Sequence, residues 1–221
     1  LQVLSPLRSD LWGDVWYARG TAAWVDRAEL DDRRVAGQRV MVLAGIDFPS
    51  TFFFPYLWRA QGHPLPRSFY PLSASSHALR MTRVDARSFE LETLGGAFLT
   101  SEGERHFYDE RFARPARRVE LPGMRVETRT LAGRFPRVLR FEFDVPLEDP
   151  SLVFPTATSE GIRRFELPEP GQSAIVQRAG LPDWSRLEHG EAQRRMGKLP
   201  DFVHFEPEPG LADNGDLESD L

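Results

Sequence analysis

Apolar and polar residues alternate through the middle of the chain, from about residue 78 to residue 176. Residues 79–82 and 89–92 each show this alternation, and the polar turn 85–87 separates them. A period of two places the apolar side chains on one face of an extended strand. The pattern therefore predicts a β-hairpin with one buried face and one solvated face.

The same alternation recurs in short segments that are separated by turn residues such as Pro122-Gly123. Further strands are predicted at residues 97–100, 119–121, 124–131, 139–145, 152–154, 162–167 and 174–177. Several short strands with turns between them are typical of an antiparallel sandwich or an open barrel. The fold is therefore predicted to be mainly β.

An earlier segment adds helical structure to this β-rich pattern. Residues 39–46 (RVMVLAGI) form a continuous apolar run, which predicts a buried strand. A short helix is predicted from Ser50 to Ala60, capped by Ser50, closed by Gly62 and kinked or restarted at Pro55. With a strand at residues 67–73, this makes a strand–helix–strand unit. The class is α+β overall.

The two ends of the chain differ from the centre. Residues 11–30 carry apolar positions at helical spacing beside a stripe of tryptophans, which predicts an N-terminal amphipathic helix. We therefore divide the chain into an N-terminal helical or linker segment (1–37), a β-rich domain (38–180) and a C-terminal extension (181–221). The extension is acidic, and disorder is expected beyond residue 206.

Composition excludes several classes of function. The chain has 221 residues and no Cys, which excludes disulfides, thiolate catalysis and Cys-based zinc sites. Six acidic residues and no basic ones lie in residues 206–221, so a net charge of −5 leaves a body near +1. A nucleic-acid groove normally needs a strong basic excess, so no nucleic-acid partner is expected. Lys198 is the only lysine, and this preference for Arg is typical of a GC-rich bacterial genome.

Candidate chemistry is sparse. The five histidines show no local metal spacing, so neither a metal nor a cofactor is expected. The turn at Asp47 and Ser50 follows a buried strand, where ligands often bind in α/β proteins. Ser76 and His77 place a hydroxyl beside a base, although neighbours on an extended chain point apart. These four residues are candidate ligand-binding positions, and the alternative for Asp47 is a helix cap.

An aromatic cluster in the predicted helix is a second candidate. Phe52, Phe53, Tyr56 and Trp58 lie within seven residues of one another. They form either part of the core or an interaction surface that touches a membrane or a partner helix.

Four motifs carry a resemblance that covers roughly residues 38–175. They are Gly62-His63-Pro64-Leu65-Pro66-Arg67, Thr82-Arg83-Val84-Asp85-Ala86-Arg87-Ser88-Phe89, Leu121-Pro122-Gly123-Met124-Arg125-Val126 and Pro146-Leu147-Glu148-Asp149-Pro150-Ser151-Leu152. With them, the chain resembles the C-terminal soluble region of large multi-spanning membrane proteins from GC-rich bacteria. The resemblance implies a soluble domain that follows the last membrane helix. It transfers no activity and no catalytic residue.

The sequence thus favours a non-catalytic accessory domain of a larger bacterial, membrane-associated protein, which mediates intramolecular packing or partner binding. The chain begins at Leu1 and is expected to be a piece of that protein, whose remainder would be its partner. One alternative is a small-molecule binding or hydrolytic domain with a site near Asp47, Ser50 and His77. Another is a carbohydrate- or protein-binding β-sandwich of a secreted protein.

Overall fold

The computed structural model describes residues 23–74, 77–100 and 117–178, without the side chains of residues 48 and 49. The described part of the chain is mainly β, with 40% of its residues in strands and 13% in helices, so the predicted α+β class is confirmed. The described helices and strands are a helical turn at residues 23–26, a 3-10 turn (Val35–Gly37), helix α1 (Phe48–Ala60) and the strands β1 (Arg39–Val42), β2 (Ser68–Pro71), β3 (Leu79–Arg83), β4 (Ser88–Thr93), β5 (Arg118–Leu121), β6 (Met124–Ala132), β7 (Phe135–Phe143), β8 (Leu152–Val153), β9 (Pro155–Thr158), β10 (Gly161–Arg164) and β11 (Ser173–Val176).

Six strands form an antiparallel sheet in the order β11-β3-β4-β7-β6-β5, and the sheet does not close into a barrel. The predicted hairpin is its β3–β4 pair, with Met81 opposite Leu91. Alternation sends the apolar side chains of the sheet into one buried cluster, which includes Phe89, Phe141 and Phe143. The opposite face carries Arg and Glu in cross-strand ion pairs, such as Arg80 with Glu92 at 2.9 Å. The alternation of the sequence is therefore the physical basis of this sheet.

A smaller parallel sheet has the order β2-β1-β8. Its central strand β1 is buried on both faces, which explains why its sequence is continuously apolar after Arg39. Helix α1 connects β1 to β2, and the two strands pair in parallel with Val40 opposite Phe69. The predicted strand–helix–strand unit is therefore confirmed.

Helix α1 begins and ends at residues with clear local reasons. Asp47, not Ser50, is its N-cap. At the other end, Gly62 has a φ of +93°. Its backbone N–H donates to the carbonyl of Arg59, and the backbone N–H of His63 donates to the carbonyl of Trp58. This pair of bonds is a Schellman motif, so the predicted closing role of Gly62 is confirmed. The helix continues through Pro55 as one element, so the predicted restart there is wrong.

One predicted strand is wrong, and one strand was not predicted. Residues 97–100 are not a strand, because Leu99 has φ +65 and turns the chain. The unpredicted β9 pairs with β10 in a separate two-stranded sheet.

The ends of the chain lie largely outside the described residues. The predicted N-terminal helix is described only in its turn at residues 23–26, where Trp24 is fully buried and donates to the carbonyl of Thr158 over 2.7 Å. The extension 181–221 lies outside the described residues. Within the described part of the chain, no helix has the length and apolarity that a bilayer crossing requires.

Candidate interaction site

The aromatic residues of α1 divide between the interior and the surface. Phe54 and Trp58 are one helical turn apart and stack on each other with ring centroids 5.6 Å apart, and both are buried. Phe52, Phe53 and Tyr56 remain 48%, 52% and 68% exposed. We refer to these three side chains as the aromatic surface.

Trp58 does not belong to the aromatic surface, in contrast to the prediction. It is 1% exposed, and its indole N–H donates to the carbonyl of Pro64 over 2.9 Å. The ring of His63 lies parallel to the indole, with centroids 3.8 Å apart. Trp58 therefore holds the turn after α1 against the helix.

The stacked His63 is itself fixed by acidic side chains from another segment. Its Nδ1 lies 2.8 Å from Asp32, and its Nε2 lies 3.7 Å from Asp26. Since both aspartates precede β1, the imidazole ties that segment to the C-terminal end of α1. Among the described residues, no group of three His, Asp or Glu side chains is arranged to hold a metal ion.

An apolar groove of about 640 Å³ runs beside the aromatic surface. Helix α1 forms one wall and the segment from Leu65 to the end of β2 forms the other. The lining residues are Phe52, Pro55, Tyr56, Arg59, Ala60, Leu65, Pro66, Phe69 and Pro71. Arg59 is the one charged residue among them, and none is acidic. This groove could accommodate an apolar segment of another molecule.

Asp47 and Ser50 are brought together, but as the start of a helix. One carboxylate oxygen of Asp47 accepts from the backbone N–H of Ser50 at 2.7 Å, and the other accepts from its hydroxyl at 3.1 Å. Ser50 is only 1% exposed. The helix-cap interpretation of Asp47 is therefore confirmed.

Of the other two candidates, Ser76 is outside the described residues, and His77 lies two residues before β3. The ring of His77 lies so close to Gly96 that a Cβ on that glycine would overlap it. Gly96 thus makes room for the imidazole just after β4.

Sequence reasoning missed a polar cleft of about 820 Å³ between the 147–154 and 164–169 segments. Arg83, which lines the cleft, is 6% exposed, pairs with Glu148 and donates to the carbonyls of Asp85 and Pro168. At the rim, hydrogen bonds from Ser151 hold the pKa of Asp149 below its ordinary value. Because these contacts occupy the guanidinium of Arg83, we assign this arginine a structural role. In the sequence, Arg83 is a single arginine before a turn, and the pattern around it did not predict the cleft.

Comparison of the chain with protein-family models, with curated proteins and with solved structures gave no match.

Proposed function

We propose that this chain is a non-catalytic accessory domain of a larger bacterial, membrane-associated protein. It binds a segment of that protein, or of a separate partner, through the aromatic surface and the groove beside it. The observation that carries the proposal is the exposure of Phe52, Phe53 and Tyr56 on one helix that also buries two aromatic rings.

Exposed aromatic side chains in one place favour association. A buried Phe or Tyr removes roughly 150–250 Å² from water, so covering the half-exposed rings of Phe52 and Tyr56, which line the groove, removes on the order of 200 Å². At about 25 cal/mol per Å², this contributes roughly 5 kcal/mol before the entropic cost of association. Contiguous apolar patches of this size often mark interaction sites.

The contacts of Asp47 and Ser50, two of the candidate ligand-binding residues, support the non-catalytic part of the proposal. Ser50 is buried and its hydroxyl donates to Asp47, so it is not presented to a substrate as a nucleophile. The carboxylate of Asp47 is engaged in capping α1.

Site-directed photocrosslinking in cells that produce the full-length protein tests the proposal. A benzoylphenylalanine replaces Tyr56 on the aromatic surface or, as a control, Leu131 on β6, which is 56% exposed. We expect position 56 to yield a crosslink that peptide mapping assigns to one defined segment, and position 131 to yield none. Equal crosslinking from both positions, or none from position 56, would contradict the proposal.

A further inference from the structure

We infer that the groove receives an extended apolar peptide, which pairs with β2 as an added strand and places a carboxylate near Arg59. This inference rests on the proposed function and specifies the chemistry of the partner. Its basis is the edge of the parallel sheet, the spacing of the groove residues on α1 and the charge of the groove.

Strand β2 is an edge strand, because β1 pairs with it on one side and no described strand pairs on the other. Leu72 donates to the carbonyl of Val42 over 2.8 Å. Successive residues of a strand direct their backbone groups to opposite sides. Together with the register of β1 and β2, the bond from Leu72 therefore indicates that residues 68, 70 and 72 direct their backbone groups toward β1. Phe69 and Pro71 therefore direct their backbone groups to the open edge.

The open edge fixes a register for an added strand. Pro71 has no N–H, so it cannot donate to a neighbouring strand. Phe69 offers both an N–H and a carbonyl, which an antiparallel neighbour can engage as one hydrogen-bonded pair. Added pairing is therefore expected to centre on Phe69.

Helix α1 supplies a wall for the side chains of the added strand. Its groove residues are at positions 52, 55, 56, 59 and 60, which is the spacing of one continuous helical face. Phe69 stacks on the buried Phe54 with centroids 5.4 Å apart, which anchors β2 under the helix. Recognition by strand addition uses this combination of an open edge for the peptide backbone and a pocket for alternate side chains.

The groove also has a preferred charge. Arg59 is its one charged lining residue and makes no ion pair with a described carboxylate. A carboxylate on the peptide, from Asp, Glu or the chain end, would complement it. A partner helix fits less well, since its own backbone hydrogen bonds are satisfied and Phe69 would remain unpaired.

The test begins with display of random heptapeptides against this chain, with counter-selection on Tyr56→Ser. We expect enriched peptides to carry apolar residues at alternate positions together with an acidic residue. Absence of enrichment over the counter-selection would overturn the inference. Enrichment of the i, i+3, i+4 spacing of a helix would overturn it as well, while leaving the proposed function intact.

The selected peptide is then titrated against matched variants. Tyr56 lines the groove, whereas the similarly exposed Phe53 does not. We expect Tyr56→Ser to weaken binding at least about tenfold, Arg59→Gln about threefold at low salt, and Phe53→Ser less than twofold. Equal losses for the substitutions at positions 53 and 56 would indicate contact across the aromatic surface and overturn strand addition.

Two further measurements address backbone pairing and the membrane alternative. Bound peptide should slow hydrogen exchange of the Phe69 amide, and N-methylation should weaken binding at alternate peptide positions only. An unprotected Phe69 amide would overturn the inference. Suppose instead that the chain binds phosphatidylglycerol vesicles and that this binding needs Phe53 as much as Tyr56. The partner would then be a bilayer and not a peptide, which would overturn the inference but keep the aromatic surface as the interaction site. If peptides, vesicles and crosslinks all fail, the proposed function fails too.

Discussion

The guanidinium of Arg39 donates a hydrogen bond to the carbonyl of Gly123 over 2.8 Å and thereby joins the two larger sheets. Arg39 lies on β1 and is 7% exposed, whereas Gly123 lies in the turn between β5 and β6. A second guanidinium nitrogen pairs with Asp144 at 2.7 Å, just after β7. A buried guanidinium is tolerated when it has these partners, but removal of any partner lowers the free energy of unfolding.

The first prediction concerns Gly123 itself. Its φ of +76 favours glycine, and a Cβ there would overlap the Arg39 guanidinium. Gly123→Ala is therefore expected to lower the free energy of unfolding by more than about 2 kcal/mol, of which about 1 kcal/mol is backbone strain. Urea denaturation measures this change.

Gly133 provides a matched control, because its φ is +61 and no atom lies within 4 Å of a Cβ placed there. Gly133→Ala should cost only the backbone strain, about 1 kcal/mol. Equal costs at the two positions would show that the Arg39 contact contributes nothing to stability.

The second prediction separates helix capping from charge at Asp47. Asp47→Ala removes the acceptor for the N–H of Ser50 and should destabilise the protein by about 1 kcal/mol. Asp47→Asn should lower the free energy of unfolding by at most a few tenths of a kcal/mol, since Asn is an equally good cap. Both values follow from urea denaturation monitored by far-ultraviolet circular dichroism. A loss with Asn as large as with Ala would mean that the negative charge, not the cap, matters.

Alternation made most of the large sheet predictable from sequence, but only where apolar residues actually recur at every second position. The β3–β4 hairpin and the β5–β6 pair were found in this way. Strand β9 was missed because its residues Pro155–Thr158 include a proline and two threonines, which resemble a loop. Residues 97–100 were wrongly predicted as a strand, because the apolar pattern does not reveal the positive φ of Leu99.

The interaction site was predictable only in outline. The sequence identified aromatic residues on α1 but did not decide which were buried, since Phe52 to Phe54 are consecutive. That choice depends on Phe69 of β2, which stacks on Phe54. Likewise, the groove lies beside β2, the edge strand of the smaller sheet among the described residues, and strand order is a non-local property of the fold. Inclusion of Trp58 in the surface failed for the same reason.

The third prediction concerns Asp85, in the turn between β3 and β4. Its carboxylate accepts from the backbone N–H of Arg87 at 2.8 Å and from the hydroxyl of Ser88 at 2.7 Å, and Arg140 lies 3.4 Å away. The bond from Arg87, followed by that from Ser88 and the charge of Arg140, holds the pKa of Asp85 below its ordinary value.

A pKa that is lower in the folded chain means that the folded state favours the ionised carboxylate. This contribution is present above the unfolded pKa, near 4, and is lost as the pH falls through the folded pKa. Asp85→Asn should therefore be less stable than the wild type at pH 7. The difference should stay below about 1 kcal/mol, because the side chain is 54% exposed and screened by solvent.

Urea denaturation of both proteins between pH 7 and pH 2 checks the sign, and the difference should shrink below about pH 4. Ser88→Ala removes one donor but keeps the carboxyl. The difference in stability between Ser88→Ala and Asp85→Asn should therefore still depend on pH, but less strongly than the difference between the wild type and Asp85→Asn. A difference between wild type and Asp85→Asn that is constant with pH would mean that the carboxylate titrates alike in the folded and unfolded chains, because only unequal proton binding makes stability depend on pH.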